Sequence, residues 1–499
     1  MQPHKGSAQQ MSNNPLIAIG LDLGTGGARA VAMELDGPLV AETRSDLPAA
    51  ATHARGPRVE QDPQAWTTAA QKALRELSTR LPKSCNIIGI SVDATSGTFL
   101  LTDGHHQPLT PGLMYSDLRA VDEAQEADAA LHEELAPFGI RVAPAFALAK
   151  LIHLARCEPA LFARCRHVVH QTDWVIGWLC GRYDVTDVST ALKTGVDPAR
   201  LRWPDAMSDR LGIPVDLLPT VVLPGTTVGE ITAEAASSTG LPRGTPIVAG
   251  CTDGTAGCLA SGAKEPGDLN VTLGTTLVFK AISERPLIDS QAAVYNHRHP
   301  AGGFLPGAAS STGAEWIGNY LPDADLETLG RQAASRIPTG RIVYPLVKLG
   351  ERFPFACPAA RGFGLEEIAD NVQQFAAGME AVAFIERLGI QRLADLGLVV
   401  GSNVYATGGA VASEVWLRIR AAVNRRTYHV PHHPQCAVGA AVLAARPHMA
   451  GCREAAEALV RPGRTIAPDL RLADAYELQF QRFAAALQER GYIEAPETI

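Results

Sequence analysis

Two aspartates carry the sharpest chemical signal in this sequence. Asp22 ends the apolar run Leu16–Leu21 and opens Asp22-Leu23-Gly24-Thr25-Gly26-Gly27. Asp253 follows the apolar run Pro246–Gly250 and opens Asp253-Gly254-Thr255-Ala256-Gly257. A carboxylate at the end of a buried strand is held rigidly at a domain face. Magnesium takes one or two carboxylates with waters and phosphate oxygens. Phosphoryl transfer to a hydroxyl also needs an acceptor for the departing proton. Two carboxylates across a cleft divide these jobs, although aspartates of this kind also cap turns through local amides.

Three Gly/Thr turns follow apolar strands: Gly24-Thr25-Gly26-Gly27, Gly254-Thr255-Ala256-Gly257 and Gly274-Thr275-Thr276. Glycine brings backbone N–H groups close to phosphate oxygens, and threonine adds a hydroxyl donor. Ordinary hairpins use the same residues. Gly408-Gly409-Ala410, between a strand and a helix, lets adenine lie against the backbone; close helix–strand packing is the alternative. The chain has no Gly-x-x-x-x-Gly-Lys-Ser/Thr loop, and Arg29 stands where a dinucleotide fingerprint needs its third glycine. The histidines at His105-His106, His297–His299 and His429–His433 lack cysteine or carboxylate partners at ligand spacing and read as loop or surface residues.

The elements that must position these residues follow from apolar pattern and turn residues. Leu16–Leu21, Ala28–Leu35 and Leu39–Thr43 form an opening β-meander, and Asp62-Pro63 starts a helix to about Leu77. Asn86–Val92 is a buried strand leading into Asp93-Ala94-Thr95-Ser96-Gly97-Thr98. Helices are predicted near Leu118–Leu131, Ala147–Ala155, Thr172–Cys180, Val372–Leu388, Ser413–Val423, Ala437–Ala445 and Asp474–Glu489. Strands are predicted at Pro246–Gly250, Leu269–Leu273, Thr276–Ala281, Val404–Ala406 and Tyr428–Val430. The strand–Asp–Gly–Thr unit at Asp22 echoes at Asp253, about half the chain away, which predicts two like domains. The turn-rich stretch Leu241–Pro246 places their boundary at 245/246, giving a tail over 1–14 and domains over 15–245 and 246–499.

Composition sets the outer limits. The 499 residues are 46% hydrophobic and 19% charged, enough for two large cores. The formal charge of −8 argues against a nucleic-acid binder that works by bulk positive charge. No apolar run approaches the length of a membrane span, and Met1–Asn14 lacks the apolar segment of a signal peptide. Nine cysteines without a CxxC pair read as reduced thiols of a cytoplasmic protein.

The order of the motifs resembles the FGGY family of carbohydrate kinases over nearly the whole chain. The matching pieces are Gly20–Thr25, Glu60–Pro63 with Trp66, Tyr115–Arg119, Gly250–Gly254, Gly274–Thr276, Gly350–Arg352 with Pro354, and Thr407–Ala410 with Trp416. The resemblance implies an α/β fold of two ribonuclease-H/actin-like domains with a cleft between them. It implies ATP and magnesium as cofactor and ion, a small sugar as partner, no nucleic acid or membrane, and a monomer or homodimer. By the same resemblance Asp253 is the catalytic base. Asp22 lies near the acceptor sugar and the magnesium, directly or through water. Thr95, Ser96, Tyr115 and Asp117 line the sugar side together with Asp253. Gly24, Thr25, Gly274, Thr275 and Thr276 hold phosphates, and Gly408, Gly409, Ser413 and Trp416 the adenosine. Ser413 stands where the family often has Asn, and Tyr115 where many members have Trp. The loop Asp93–Thr98 is similar to the D-ribulose kinase branch, so the expected substrates are D-ribulose, then D-xylulose, then another ketose or polyol. A sugar or nucleotide sensor and an actin-like filament ATPase are the rival classes.

Overall fold

The computed structural model describes residues 14–291 and 293–494; of the tail expected over Met1–Asn14, only Asn14 lies among them. Two mixed sheets organise the chain. The first contains β1 (Leu16–Gly24), β2 (Gly27–Glu34), β3 (Leu39–Asp46), β4 (Asn86–Ala94), β5 (Thr227–Glu230) and β6 (Pro246–Thr252), in the order β5-β6-β4-β1-β2-β3. The second contains β7 (Leu269–Leu273), β8 (Leu277–Ala281), β9 (Tyr295–Arg298), β10 (Phe304–Ser310), β11 (Asn403–Thr407), β12 (Thr427–Pro431) and β13 (Pro462–Ile466), in the order β9-β10-β8-β7-β11-β12-β13.

The sheets share one plan. The hairpin β1–β2 corresponds to β7–β8, each followed by an antiparallel outer strand, β3 or β10. On the other side two parallel strands follow, β4 and β6 in one domain and β11 and β12 in the other, each pair closed by an antiparallel edge. The duplication is therefore real, but its copies are not the predicted ones. The counterpart of the Asp22–Gly27 turn is Gly274–Thr276, and Asp253 lies beyond a strand of the first sheet. The predicted boundary at 245/246 is corrected with it. The strand from Pro246 pairs in parallel with β4, so the first domain runs through helix α3 (Asp253–Ser261) and the second sheet starts at Leu269.

Local sequence explains most elements. Helix α1 (Pro63–Arg80) has Asp62 accepting from the Gln64 N–H and Pro63 at its first position, where a missing N–H costs nothing. Its apolar stripe and helix α2 (Gln171–Cys180) cover one face of the first sheet. Helix α4 (Asn371–Asp395), longer than predicted, and α5 (Glu414–Asn424) pack on the second. The helix expected from Leu118 begins only at Val121, because Asp117 and Arg119 are engaged elsewhere.

The domains are joined by more than one chain crossing. Helix α6 (Cys436–Ala445), far along the sequence, packs on the first sheet against Ala18, Val31, Met33 and Ile88, and against α3. Glycines make the approach possible. A Cβ on Gly20 would lie 1.8 Å from the Ala437 carbonyl oxygen, and one on Gly439 would lie 1.9 Å from that of Ala256. Gly439→Ala should therefore destabilise the protein by about 1–3 kcal/mol, as overpacking against backbone does. Gly318→Ala, where a Cβ meets nothing within 4 Å, should be neutral or stabilising; thermal denaturation of both variants checks the contrast.

Candidate active site

Three carboxylates meet at the carboxyl end of the first sheet, the end where open α/β sheets place ligands. Asp22 and Asp93 are register partners on the parallel strands β1 and β4, and Cys251 of β6 is the partner of Asp93 on its other side. Asp253 follows two residues later as the first residue of α3. Asp93 is fully buried, and no protein N–H or O–H reaches its oxygens; its polar contact is the Asp22 carboxyl. Burial, then the Asp22 and Asp253 charges, push Asp93 far above the usual carboxylate range, so it holds a proton that it shares with Asp22. Burial lifts Asp22 to about 6, with the Asp93 contact and Arg29 acting against it and Asp253 adding to it. Asp253 is raised by burial and eased by the Gly254 N–H, 2.6 Å from Oδ1, and by Lys193 and Lys280.

The surroundings fix these groups. Ser189 donates to Asp187 and accepts from the Thr252 N–H at 3.2 Å, which sets the backbone at the entry to α3. Cys436, the first residue of α6, faces all three carboxylates; burial and their charges push its thiol well up. Two helices thus start at the cluster and turn the positive ends of their dipoles toward it.

The loop 95–98 forms the adjoining wall. The Thr95 hydroxyl lies 2.6 Å from Gln171 Oε1 and 2.7 Å from the Thr98 hydroxyl. Lys150, fully buried, donates to the Gly97 and Met114 carbonyls at 3.0 and 2.6 Å, and burial lowers its pKa to about 7. The Ser96 hydroxyl is buried and has no partner, and Lys193 donates to the Ser96 carbonyl at 3.3 Å. Of the two expected sugar contacts, the Ser96 hydroxyl makes no hydrogen bond among the described residues, whereas that of Thr95 is committed to Gln171 and Thr98. The exposed Thr25 hydroxyl lies 3.5 Å from the Tyr115 phenol, which is also exposed. Asp117 does not line the site. Its fully buried carboxylate accepts from the Val59 N–H and is gripped by Arg119, which also pairs with Glu60. An Asp–Arg pair two residues apart was available in the sequence as a signal for this structural role.

The second domain supplies a cavity of about 910 Å³ lined by Gly274, Phe375, Gly409, Ser413, Val415 and Trp416, among others. Gly408 takes φ +87°, and a Cβ there would strike the Leu273 carbonyl oxygen at 2.4 Å. The Ser413 hydroxyl caps α5 by accepting the Trp416 N–H, and Ser413 also lines this cavity. Trp416 is buried and its indole N–H donates to the Met379 carbonyl, so it is a cavity wall with its polar atom committed. Thr275 is exposed at the hairpin tip and Thr276 half-buried beside it.

Sequence reasoning missed Asp93, Lys193 and Lys280. Asp93 ends an apolar strand as Asp22 does, and Lys280 is a lone charge in an apolar strand; both signals were present. It also misplaced His297 and His299, which are buried on and beside β9 rather than at the surface. Among the described residues no helix is long and apolar enough to cross a membrane, and all nine cysteines are free thiols.

Two family models match the chain, the N-terminal domain of the FGGY family of carbohydrate kinases over residues 17–260 and its C-terminal domain over 269–447. The chain belongs to the FGGY family of carbohydrate kinases. This FGGY kinase is 25% identical to the xylulose kinase of Bacillus subtilis (strain 168), over 93% of its own length and 95% of the relative's. It is 26% identical to the L-xylulose/3-keto-L-gulonate kinase of Escherichia coli (strain K12), over 81% and 83% of the two chains. The crystal structure of the xylulose kinase from Rhodospirillum rubrum superposes with a TM-score of 0.84 at 28% identity, covering 95% of this chain and 99% of that one. The FGGY fold, two actin-like α/β domains, is thus the one observed here.

The carboxylate cluster of this FGGY kinase has a measurable stability signature. Asp22 titrates near 6 in the folded chain against the usual 3.8, so the folded state binds the extra proton between those values. Stability from this group is present at low pH and is lost as pH rises from about 4 to about 6. Asp22→Asn should raise the melting temperature of the ligand-free protein more at pH 8 than at pH 4; thermal denaturation at the two pH values checks the sign.

Proposed function

We propose that this FGGY kinase transfers the γ-phosphate of ATP to the terminal O5 hydroxyl of a pentulose. The observation that carries the reading is Asp253. It is a half-buried carboxylate at a helix N-terminus, next to Gly254, whose missing Cβ would lie 3.6 Å from Lys280 Cε of the second domain, with Asp22 and Asp93 beside it. Burial makes it more basic than an ordinary carboxylate, and the two lysines limit that rise. In its ionised form such a group accepts the proton of the attacking hydroxyl. We assign the sugar hydroxyls to the Ser96 hydroxyl, which has no partner among the described residues, and the exposed Tyr115 phenol. We assign the phosphates to Gly24, Thr25 and the Gly274–Thr276 hairpin, and the adenosine to the 910 Å³ cavity that Gly274 and Gly409 line, next to Gly408.

A magnesium ion fits the Asp22–Asp93 pair. Two carboxyls in contact, one of them buried without a donor, are an arrangement that a cation relieves. Bound there with ATP, the ion offsets phosphate charge. Closing the two domains on the acceptor excludes water and aligns the hydroxyl with the phosphorus.

The substrate reading has two branches. The relatives named for xylulose favour D-xylulose. The loop Asp93–Thr98, with Ser96 free and Thr95 held by Gln171, supports D-ribulose through its likeness to the D-ribulose kinase branch. ADP release with Mg-ATP over D-xylulose, D-ribulose, L-xylulose, glycerol, ribitol and no sugar separates them. Turnover that is independent of any sugar overturns the kinase reading. Asp253→Asn should lose about 10²- to 10⁴-fold in kcat with nucleotide binding retained; a wild-type rate removes Asp253 from the role of base. Ser96→Ala should raise the acceptor KM about five- to twenty-fold with the KM for ATP unchanged, as steady-state kinetics in each substrate would show.

A further inference from the structure

Strand β8 alternates. Leu277, Phe279 and Ala281 enter the core of the second domain, while Val278 and Lys280 take the opposite face. Lys280 is 7% exposed. Its Nζ lies 2.9 Å from His297 Nδ1 and 5.4 Å from the centre of the Tyr295 ring, both residues of β9. The strand between them explains the reach. Gly307 of β10 is the register partner of both Lys280 and Tyr295, and a Cβ at 307 would come within 2.9 Å of Nζ. A glycine there leaves the lane along which the lysine crosses the sheet. Lys280 Cε also lies 3.6 Å from a Cβ built on Gly254, the residue after Asp253. The ammonium is therefore brought to the head of α3 by the second domain, while Lys193 flanks Asp253 from the first.

This cation has no ion-pair carboxylate among the described residues; Asp253 is the carboxylate whose charge acts on it. An ammonium carries three donors and no acceptor. One goes to His297 Nδ1, which leaves the imidazole proton on Nε2. That nitrogen is buried, on a side chain 3% exposed, and has no partner. Lys280 and His297 thus offer donors only, at a buried place next to the carboxylate assigned as base. Donors of this kind are best met by an oxygen that carries no proton. A pentulose that attacks through O5 cannot have its ring closed through O5 at the same time, so the reacting acceptor is open-chain and offers such an oxygen in its carbonyl.

We infer that Lys280, held by His297, is an acceptor-specificity residue supplied by the second domain, and that it takes an sp² oxygen of the acceptor beside Asp253. The shared chemistry is that of a ketose carbonyl or a sugar-acid carboxylate. The inference rests on the kinase reading above and adds to it the part of the acceptor that is recognised.

Steady-state kinetics with Mg-ATP test it, using D-xylulose, D-ribulose, D-gluconate, xylitol and ribitol as acceptors. The wild type should prefer ketose or acid over polyol. Lys280→Met should raise the KM of the preferred acceptor about ten- to a hundred-fold, leave that for ATP within about twofold, and narrow the preference over polyols. A response confined to ketoses identifies the carbonyl, and one confined to gluconate the carboxylate. His297→Asn should move the acceptor KM the same way by a smaller factor, and it carries the test if Lys280→Met does not fold. An unchanged acceptor KM, an equal loss on polyols, or an effect carried by the KM for ATP overturns the inference while the kinase reading stands. Wild-type protein that turns over no acceptor overturns both.

Discussion

Carboxyl groups crowded into a small, largely buried volume govern this molecule. Asp22, Asp93 and Asp253 converge where three adjacent elements of one sheet end, and burial makes each reluctant to ionise. A fold chosen for stability alone would not gather them. The rest of the structure can be understood as the means of tolerating them. Asp93 keeps a proton, two helices begin at the cluster, and Lys193 and Lys280 approach from opposite domains. In the reading proposed above, a cation would offset the negative charge that remains.

The supporting polar network is built to hold backbone rather than to touch ligand. Lys150 fastens the loop 95–98 to Met114, Gln171 fastens Thr95, and Ser189 fastens Thr252. Asp117 and Arg119 serve the wall behind Tyr115 in the same way. Several buried polar atoms around the cleft nevertheless have no partner among the described residues. The unpartnered ones, the Ser96 hydroxyl and His297 Nε2 among them, are correspondingly informative.

Much of this was legible in the sequence where the signal is local. The β-meander, the capped helix at Asp62-Pro63, the turns at Gly24 and Gly274 and the two principal aspartates follow from apolar runs broken by Gly, Thr and Asp. The joint order of the motifs pointed to the family. What could not be read was pairing at long range. The strand from Pro246 carries no local mark of the sheet it joins, because its partner Asn86–Ala94 lies far back in the chain, and so the boundary and the internal repeat were misplaced. The intramolecular partners of Asp117 and Thr95 were hidden for a related reason: a polar residue in a motif looks the same whether its partner is a ligand or the Val59 N–H. Lys280 was hidden because its meaning depends on Gly307 and His297, which are brought together only by the sheet.

Helix α6 also has a consequence for how the chain comes to be folded. It comes from the last quarter of the sequence, yet it covers the apolar face of the first sheet through contacts that Gly20 and Gly89 leave open. A ribosome that has released the whole first domain has still not released its lid. Until residue 445 emerges, Ala18, Val31 and Ile88 stay wet, and the first sheet is an unfinished core waiting for a distant strip of alanines. Pairings of such high sequence separation form late and slowly. The first domain is thus a unit of structure without being a unit of folding, and the candidate site at its edge is completed only once α6 has been made.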